Sequence, residues 1–476
     1  MDRVSARPRT APAVTDESAG TTGPGTLGRF RSWFWRPPRE HGEIEAERSV
    51  SFLELFYDLV YVVVISQAAR QLALHVSLRG YLEFVVILGV IWIAWANGTL
   101  YYELHGREDG RTRTFVFIQM AILALLAVFT GDAAGEGGAA FAIVYVGFLA
   151  VMTWLWYTVR RQDRPEFMAV TGRYLAAMAV SLVVIAASVV LPADARLVVW
   201  AGFVVGWLAL MLVFGRRSRH RTVMGIVPTD SMVERFDLLV IIVLGEVVVG
   251  VVNGLSGADH DPLTLGTGFL ALMVGFGLWW IFFDVAGRRQ PRPGGLAVNA
   301  WMEAHLPIAI AIVGAGAAMV GLIEHAHDAQ TPAGTSWLLA CSVAMALLAL
   351  GALTRSLAEY ERHVAVYRPL AFAMAAGGIV ALLLGWLRPA PWLLALGMTA
   401  ILALVWLFAV ARLLQTAPGP CRVNRRGDRP RIASLTRGPR GGRHAMRRGS
   451  RAPRDGARPP PRPPVARPPE RRPDVA

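Results

Sequence analysis

Runs of about 20 mostly apolar residues recur along this chain, and each is long enough to cross a hydrocarbon core of roughly 30 Å. Hydrophobic residues make up 54% of the 476 residues and charged residues only 17%, a balance that does not suit a soluble globular protein. The sequence therefore predicts an all-α fold, a polytopic transmembrane helix bundle. We expect about twelve spans, near 51–69, 81–100, 114–130, 139–159, 172–191, 197–214, 236–253, 263–285, 304–323, 336–354, 369–387 and 391–414.

Arginines alternate between the predicted loops. The loops after the second, fourth, sixth, eighth and tenth spans are basic, whereas the loops between them are mostly neutral or acidic. By the positive-inside rule, this alternation predicts a multi-pass protein of the cytoplasmic membrane with both termini in the cytoplasm. The basic loops contain Arg107, Arg111, Arg113, Arg160, Arg161, Arg164, Arg216, Arg217, Arg219, Arg221, Arg288, Arg289, Arg292, Arg355, Arg362 and Arg368.

Composition divides the chain into four segments. Residues 1–48 and 416–476 are rich in Arg, Pro and Gly, and we predict that both are disordered cytoplasmic tails. Residues 49–232 and 233–415 each contain enough apolar runs for a six-helix membrane half. Much of the net charge of +14 lies in the ends. In a membrane protein such a charge favours contact with anionic lipids, so we expect lipids as partners and no nucleic acid.

The two halves open with similar segments, which predicts an internal repeat. Glu54-Leu55-Phe56-Tyr57-Asp58 aligns with Glu234-Arg235-Phe236-Asp237-Leu238 at an offset of 234 − 54 = 180 residues. Glu103 follows Glu54 by 49 residues, and Asp284 follows Glu234 by 50. Because about six spans separate the two openings, equivalent helices would have the same orientation. The prediction is two parallel six-helix repeats.

Four motifs occur in this order along the chain: ELFYDLVYVVVISQ from Glu54, ERFDLLVIIVLGEVVVG from Glu234, LWWIFFD from Leu278, and HLP from His305. Together they resemble the bacterial low-temperature-requirement A (LtrA) family over roughly residues 50–414. Val247 departs from the pattern, since the family often has Ser after Gly-Glu. The resemblance implies a multi-pass bacterial inner-membrane protein linked to growth in the cold. It implies no particular reaction or substrate.

Glu246 is the most informative single residue. Counting from Phe236 at 1.5 Å per residue places its carboxyl about 15 Å deep, near the midplane of the membrane. A carboxyl there predicts a proton- or cation-coupling site, and the alternative is a neutral side chain that only packs the helices. Gly245 and Gly250 would allow close helix approach or local unwinding, and Asn253 would extend the same polar stripe.

Further candidates flank this residue in the chain. Glu54 and Asp58 share a helix face, although acids in a first turn can also simply cap a helix. Arg235, beside Glu234, is a candidate partner for an acid. His305 is a candidate titrating group, with Pro307 expected in the first turn of its helix. Phe56, Trp280 and Asp284 are supporting candidates, because they belong to the repeated or family-like motifs.

No motif of a metalloprotease, serine hydrolase or ATP-driven pump occurs, so we expect no enzyme activity and no cofactor. The cluster Glu324-His325-Ala326-His327-Asp328 has no evident third ligand position, and we expect no metal site. The leading interpretation is a secondary transporter or permease for a small cation or a proton-coupled solute, with a site lined by Glu54, Asp58 and Glu246. One alternative is a cation channel. Another is a non-transporting membrane protein that supports growth in the cold through lipid or partner contacts.

Overall fold

The structure, a computed structural model, describes Thr26, Gly28, Phe30, residues 34–41, Glu43, and residues 50–107, 109–217 and 228–416. Most of these residues lie in twelve helices that are each long and apolar enough to cross a membrane, and the described ranges contain no β-strand. The predicted all-α, twelve-span architecture is therefore confirmed. The helices are α1 (Phe52–Leu74), α2 (Leu78–His105), α3 (Gly110–Thr130), α4 (Gly138–Arg160), α5 (Pro165–Ser188), α6 (Ala193–Arg217), α7 (Asp230–Ser256), α8 (Pro262–Val285), α9 (Gly295–Glu324), α10 (Ala333–Thr354), α11 (Val364–Leu387) and α12 (Pro391–Thr416).

Helix α9 begins nine residues before the predicted span at 304, and this corrects one expectation. Pro307 lies inside α9 and not in its first turn, since the helix starts at Gly295. Proline has no backbone N–H, so the carbonyl of Glu303 cannot receive its usual helical hydrogen bond. The prediction was wrong because Asn299 and Glu303 interrupt the apolar run, although the helix continues through them.

Side-chain caps explain where several helices begin. At α1, Ser51 Oγ accepts from the backbone N–H of Glu54 at 3.3 Å, and Glu54 Oε2 accepts from the N–H of Ser51 at 3.1 Å. This reciprocal pair is a capping box. Thr229 caps α7 by accepting from the N–H of Met232 at 3.0 Å. One oxygen of Glu54 thus has a structural role.

The core of the bundle is built around α2 and α9. In each of them, 83% of the most apolar 18-residue stretch is buried inside the bundle, a larger share than in any other candidate span. Helix α9 contacts α1, α2, α6, α7, α8, α10 and α12. Its approach to α7 is backbone to backbone, because a Cβ on Gly316 would lie 2.7 Å from the carbonyl oxygen of Glu246, and one on Gly250 would clash with the carbonyl oxygen of Gly316. Glycine at these positions lets the two helices touch.

The contacting helix pairs recur between residues 49–232 and 233–415. The pairs α1–α2, α1–α3, α2–α4, α2–α6, α3–α4, α4–α5 and α5–α6 correspond to α7–α8, α7–α9, α8–α10, α8–α12, α9–α10, α10–α11 and α11–α12. The interface between the halves is less regular, since α9 packs on α1 while its counterpart α3 has no comparable contact with α7. The repeat stays a prediction, and this pairing is what it would produce.

Part of the predicted N-terminal tail packs against the helices. His41 Nδ1 lies 2.8 Å from Asp163 Oδ1, and Gln162 Nε2 donates to the carbonyl of Pro38 at 2.8 Å. His41 is only 1% exposed. Most of residues 1–48 and all of residues 417–476 lie outside the described ranges, so the predicted disorder of the two tails stays a prediction.

Candidate functional site

A buried ion pair joins α1 to α7. Arg235 Nη2 donates to Asp58 Oδ1 at 3.0 Å, and Trp95 Nε1 on α2 donates to the same oxygen at 2.9 Å. Neither Arg235 nor Asp58 is measurably exposed. Arg235 Nη1 also lies 3.9 Å from Glu54 Oε1, so one guanidinium faces two acids. The pairing of Arg235 with an acid, suggested by the sequence, is present.

The ion pair does not use all of its hydrogen-bonding capacity. Asp58 Oδ2, Arg235 Nε and Arg235 Nη1 are buried and have no hydrogen-bond partner among the described residues. Buried polar atoms normally have at least one partner, and desolvating two charges is costly unless the pairing is complete. Glu54 Oε1 is 3.9 Å from Arg235 Nη1, so a second acid lies close to the same guanidinium.

A network of neutral polar groups begins at Tyr57, the residue before Asp58. The hydroxyl of Tyr57 donates to Gln119 Oε1 at 2.8 Å, and Gln119 Nε2 donates to the hydroxyl of Tyr102 at 2.8 Å. The Tyr57 and Tyr61 hydroxyls are 3.2 Å apart. Gly98 lies directly against Tyr57, where a Cβ would clash with the hydroxyl. The network links α1, α2 and α3 in the buried interior.

Glu246 lies elsewhere on the α1–α7 interface. It is 4% exposed, and Ser66 Oγ of α1 donates to its Oε1. No arginine or histidine among the described residues forms an ion pair with it. It is 16 residues into α7 (246 − 230), about 24 Å along the helix axis. The backbone of Glu246 packs directly against Gly316, so α9 supports the helix from behind.

Asp58 and Glu246 lie at different levels of the α1–α7 interface. Ser66, which contacts Glu246, follows Asp58 on α1 by eight residues (66 − 58), which is about 12 Å along the helix. An apolar cavity of about 10 Å³ lies nearby, between Tyr61, Trp95 and Val243. Such a volume holds about one water molecule at most. The two sites are therefore neighbours on one interface, with an occluded region beside them.

The other predicted residues are placed in different surroundings. His305 is 1% exposed and packs against Phe236 and Trp301, and its Nδ1 donates to the carbonyl of Trp301 at 2.8 Å. Asp284 accepts from Trp406 Nε1 at 2.6 Å. A Cβ on Gly245 would meet no atom within 4 Å and α7 is continuous there, so close approach occurs at Gly250 and not at Gly245. The exposed candidates are Phe56, Glu234, Asn253 and Trp280.

Three residues of these networks were absent from the predicted site residues: Ser66, Trp95 and Gln119. Ser66 could have been found, since its offset from Glu246 is the same 180 residues that relate Glu54 to Glu234. Glu303 of α9 is a further polar group within a span, and its Oε2 is buried without a hydrogen-bond partner among the described residues. Gln119 stands out as a polar group within a predicted span, whereas an isolated Trp in an apolar helix gives no comparable signal.

A histidine–carboxylate pair lies at the loop ends of α8 and α9. His327 Nε2 is 2.8 Å from Asp261 Oδ2, and Asp261 caps α8 through the N–H groups of Leu263 and Thr264. The pKa of Asp261 is held below its usual range, first by the hydroxyl of Thr264 and then by His327. In the described part of the chain, no group of three or more His, Cys, Asp or Glu side chains could hold a metal ion.

Comparison with known proteins agrees with the motifs. The family model described as bacterial low temperature requirement A protein matches residues 49–411. An uncharacterized protein of Rhizobium meliloti (strain 1021) is 25% identical over 287 residues, which cover 56% of this chain and 68% of that protein. No solved structure matches the chain.

Proposed function

Because the chain belongs to the bacterial low temperature requirement A family, an integral membrane family, we propose that it is a secondary transporter for a small cation or a proton-coupled solute. The proposal assigns coupling to Glu246 and a change of conformation to the ion pair of Arg235 with Asp58. It assigns the protein to transport and not to catalysis.

The observation that carries this proposal is the environment of Glu246. A carboxylate buried in a membrane helix needs a compensating positive charge: a protein cation, a metal cation or a proton. No arginine or histidine of the described residues supplies it, and the contact that the side chain makes is with the hydroxyl of Ser66. A proton or a small cation is left as the partner, and either can be exchanged.

The ion pair of Asp58 and Arg235 is placed so that a movement of α1 along α7 would change it together with the Ser66–Glu246 contact. It connects α1 to α7, the same two helices that hold Ser66 and Glu246. Any sliding of α1 along α7 that changes one contact must change the other. Since Glu54 Oε1 is 3.9 Å from Arg235, a short movement would transfer the guanidinium from one acid toward the other. Two such arrangements are what alternating access requires.

A carrier fits these contacts better than an open channel. The buried face of α1 is polar at Glu54, Tyr57, Asp58 and Tyr61, and then apolar at Val64, Ile65, Ala68 and Ala69. A water-filled pore would need polar groups along the whole helix. The cavity of about 10 Å³ beside Tyr61 holds at most about one water molecule, so this part of the interface is not an open aqueous path.

The test is ion flux in proteoliposomes under imposed proton and potassium gradients, with pH- and potassium-sensitive dyes. We compare the wild type with Glu246→Gln and with a matched control, Asp194→Asn, which removes a carboxylate that is 83% exposed. The expected result is flux in the wild type and in Asp194→Asn, and its loss in Glu246→Gln. Size-exclusion chromatography checks that each variant is folded.

Flux that survives in a folded Glu246→Gln variant would remove this residue from the mechanism. Absence of flux from the wild type under every gradient would favour the non-transporting alternative. Growth in the cold then becomes the deciding measurement. Cells that produce a folded Glu246→Gln variant should still grow in the cold if the protein is a scaffold, and should fail to grow if it is a carrier.

A further inference from the structure

A basic pocket opens where α6 ends and α9 begins. We call it the arginine pocket, and its polar end contains Arg216, Arg292, Arg355 and Arg362. Its volume is about 1150 Å³. One acid, Glu361, lines it as well. The charge at this end is therefore strongly positive.

Among the described residues, one of the four arginines is paired with a carboxylate. Arg292 Nη1 pairs with Glu361 Oε1 at 2.8 Å, and Arg292 Nη2 donates to the carbonyl of Arg355 at 2.6 Å. The side chains of Arg216, Arg355 and Arg362 form no ion pair with any carboxylate of the described residues. Three uncompensated guanidinium groups around one cavity favour an anion, and guanidinium geometry suits phosphate in particular.

The floor of the pocket is held rigidly by the neighbouring loops. The N–H of Arg292 donates to the carbonyl of Ser356 at 2.7 Å, and the N–H of Ala358 donates to the carbonyl of Gln290 at 3.0 Å. Gly215 lies directly against α9, since a Cβ there would be 2.9 Å from the Cα of Leu296. The arginines are thus presented from a preformed surface.

The rest of the pocket is apolar and follows α9 into the membrane. Leu296, Ala300 and Ala304 of α9 line it, together with Ala352 of α10. From Gly295 to Ala304 is nine residues, about 14 Å along the helix. A soluble phosphate compound would use only the arginines. A molecule with a phosphate at one end and a hydrocarbon chain at the other would use the whole pocket.

We propose that the arginine pocket binds an anionic phospholipid, with its phosphate at Arg216, Arg355 and Arg362 and an acyl chain along Ala300 and Ala304. Basic pockets between membrane helices recognise acidic headgroups in this way. The carboxylates of the α1–α7 interface take no part, so this site is independent of the proposed transport.

The test titrates detergent-purified full-length protein with a fluorescent phosphatidylglycerol, with and without inorganic phosphate as competitor, and separately with the matching phosphatidylcholine. Three variants are compared with the wild type: Arg355→Gln/Arg362→Gln, the charge-matched control Arg113→Gln/Arg160→Gln, and Ala300→Phe, which fills the apolar part and keeps every charge. Circular dichroism and size-exclusion chromatography select folded samples.

We expect phosphatidylglycerol to bind more tightly than phosphatidylcholine. Removing two charges from the pocket should weaken its binding roughly tenfold or more, as expected from the contribution of each surface arginine. The control double variant should bind like the wild type, and Ala300→Phe should bind weakly despite its unchanged charge.

Three results would overturn the proposal. Equal weakening in both double variants would mean general surface attraction. Full competition by inorganic phosphate, together with unchanged binding in Ala300→Phe, would mean a soluble anion site. Equal affinity for the two lipids would remove headgroup recognition altogether.

Discussion

Ser66 and Glu246 are hydrogen-bonded to each other across α1 and α7, although 180 residues separate them in the chain. The same offset relates Glu54 to Glu234 in the sequence. Residues that a two-fold axis makes equivalent can touch only where they lie close to that axis. The Ser66–Glu246 contact is therefore where an axis between two parallel repeats would pass.

Replacing Ser66 tests whether this contact matters for the proposed coupling. Ser66→Ala removes the hydroxyl that donates to Glu246 and leaves the carboxyl in place. We expect flux to persist with an altered pH dependence, because the carboxyl loses a hydrogen bond that favours its charged form. Flux measured across a range of pH checks this, and a profile identical to that of the wild type would contradict it.

Breaking the buried ion pair should be far more damaging than removing both of its members. Arg235→Ala leaves Asp58 buried without a cation, and loss of one member of a buried pair costs about 3–5 kcal/mol. The double variant Asp58→Asn/Arg235→Gln removes both charges and should recover much of that loss. Thermal denaturation of the variants measures the difference. A double variant as unstable as Arg235→Ala would show that the charges are not coupled.

Two glycines of α7 should respond in opposite ways to the same substitution. Gly250→Ala places a methyl group against the carbonyl of Gly316 and should destabilise the α7–α9 contact by about 1–3 kcal/mol. Gly245→Ala points into open space and should be neutral or slightly stabilising. The melting temperatures of the two variants in one detergent decide the matter. Equal losses would mean that α7 and α9 do not pack through Gly250.

Acid should weaken the cap of α8. A carboxylate with a lowered folded pKa stabilises the fold above its ordinary pKa, and this contribution is lost as the pH falls toward the lowered value. Asp261 is such a group, because Thr264 and His327 hydrogen-bond to it. Asp261→Ala should therefore lower the melting temperature at pH 7, and the difference should shrink once the pH falls well below 3.8. A difference that is constant with pH would assign the effect to something other than the charge.

The orientation expected from the arginines has a direct measurement. With the native cysteines replaced by serine, Asp194→Cys after the fifth span should react with an impermeant maleimide on intact cells, since its side chain is 83% exposed. Arg161→Cys, after the fourth span, should react only after the cells are opened. The reverse pattern would invert the protein in the membrane and place both termini outside.

The twelve helices were predictable because the length of an apolar run is a local property of the sequence. The start of α9 was not, since Asn299 and Glu303 lower the apolarity of its first turns while its neighbours bury them partly or fully. The pairing of Arg235 could be guessed from charge alone. The choice of Asp58 as its closer partner, and the contribution of Trp95, depend on how α1, α2 and α7 pack, which no local pattern encodes.

The ion pair of Asp58 and Arg235 also constrains the order of biosynthesis. Arg235 is made 177 residues after Asp58, which takes roughly 9–35 s at usual rates of translation. Trp95 follows Asp58 by only 37 residues and can contact the carboxyl much earlier. During this interval the first spans enter the bilayer with an acid whose cation has not yet been synthesised. Insertion of the seventh span is thus the step at which Asp58 of the nascent chain gains Arg235 as its cation.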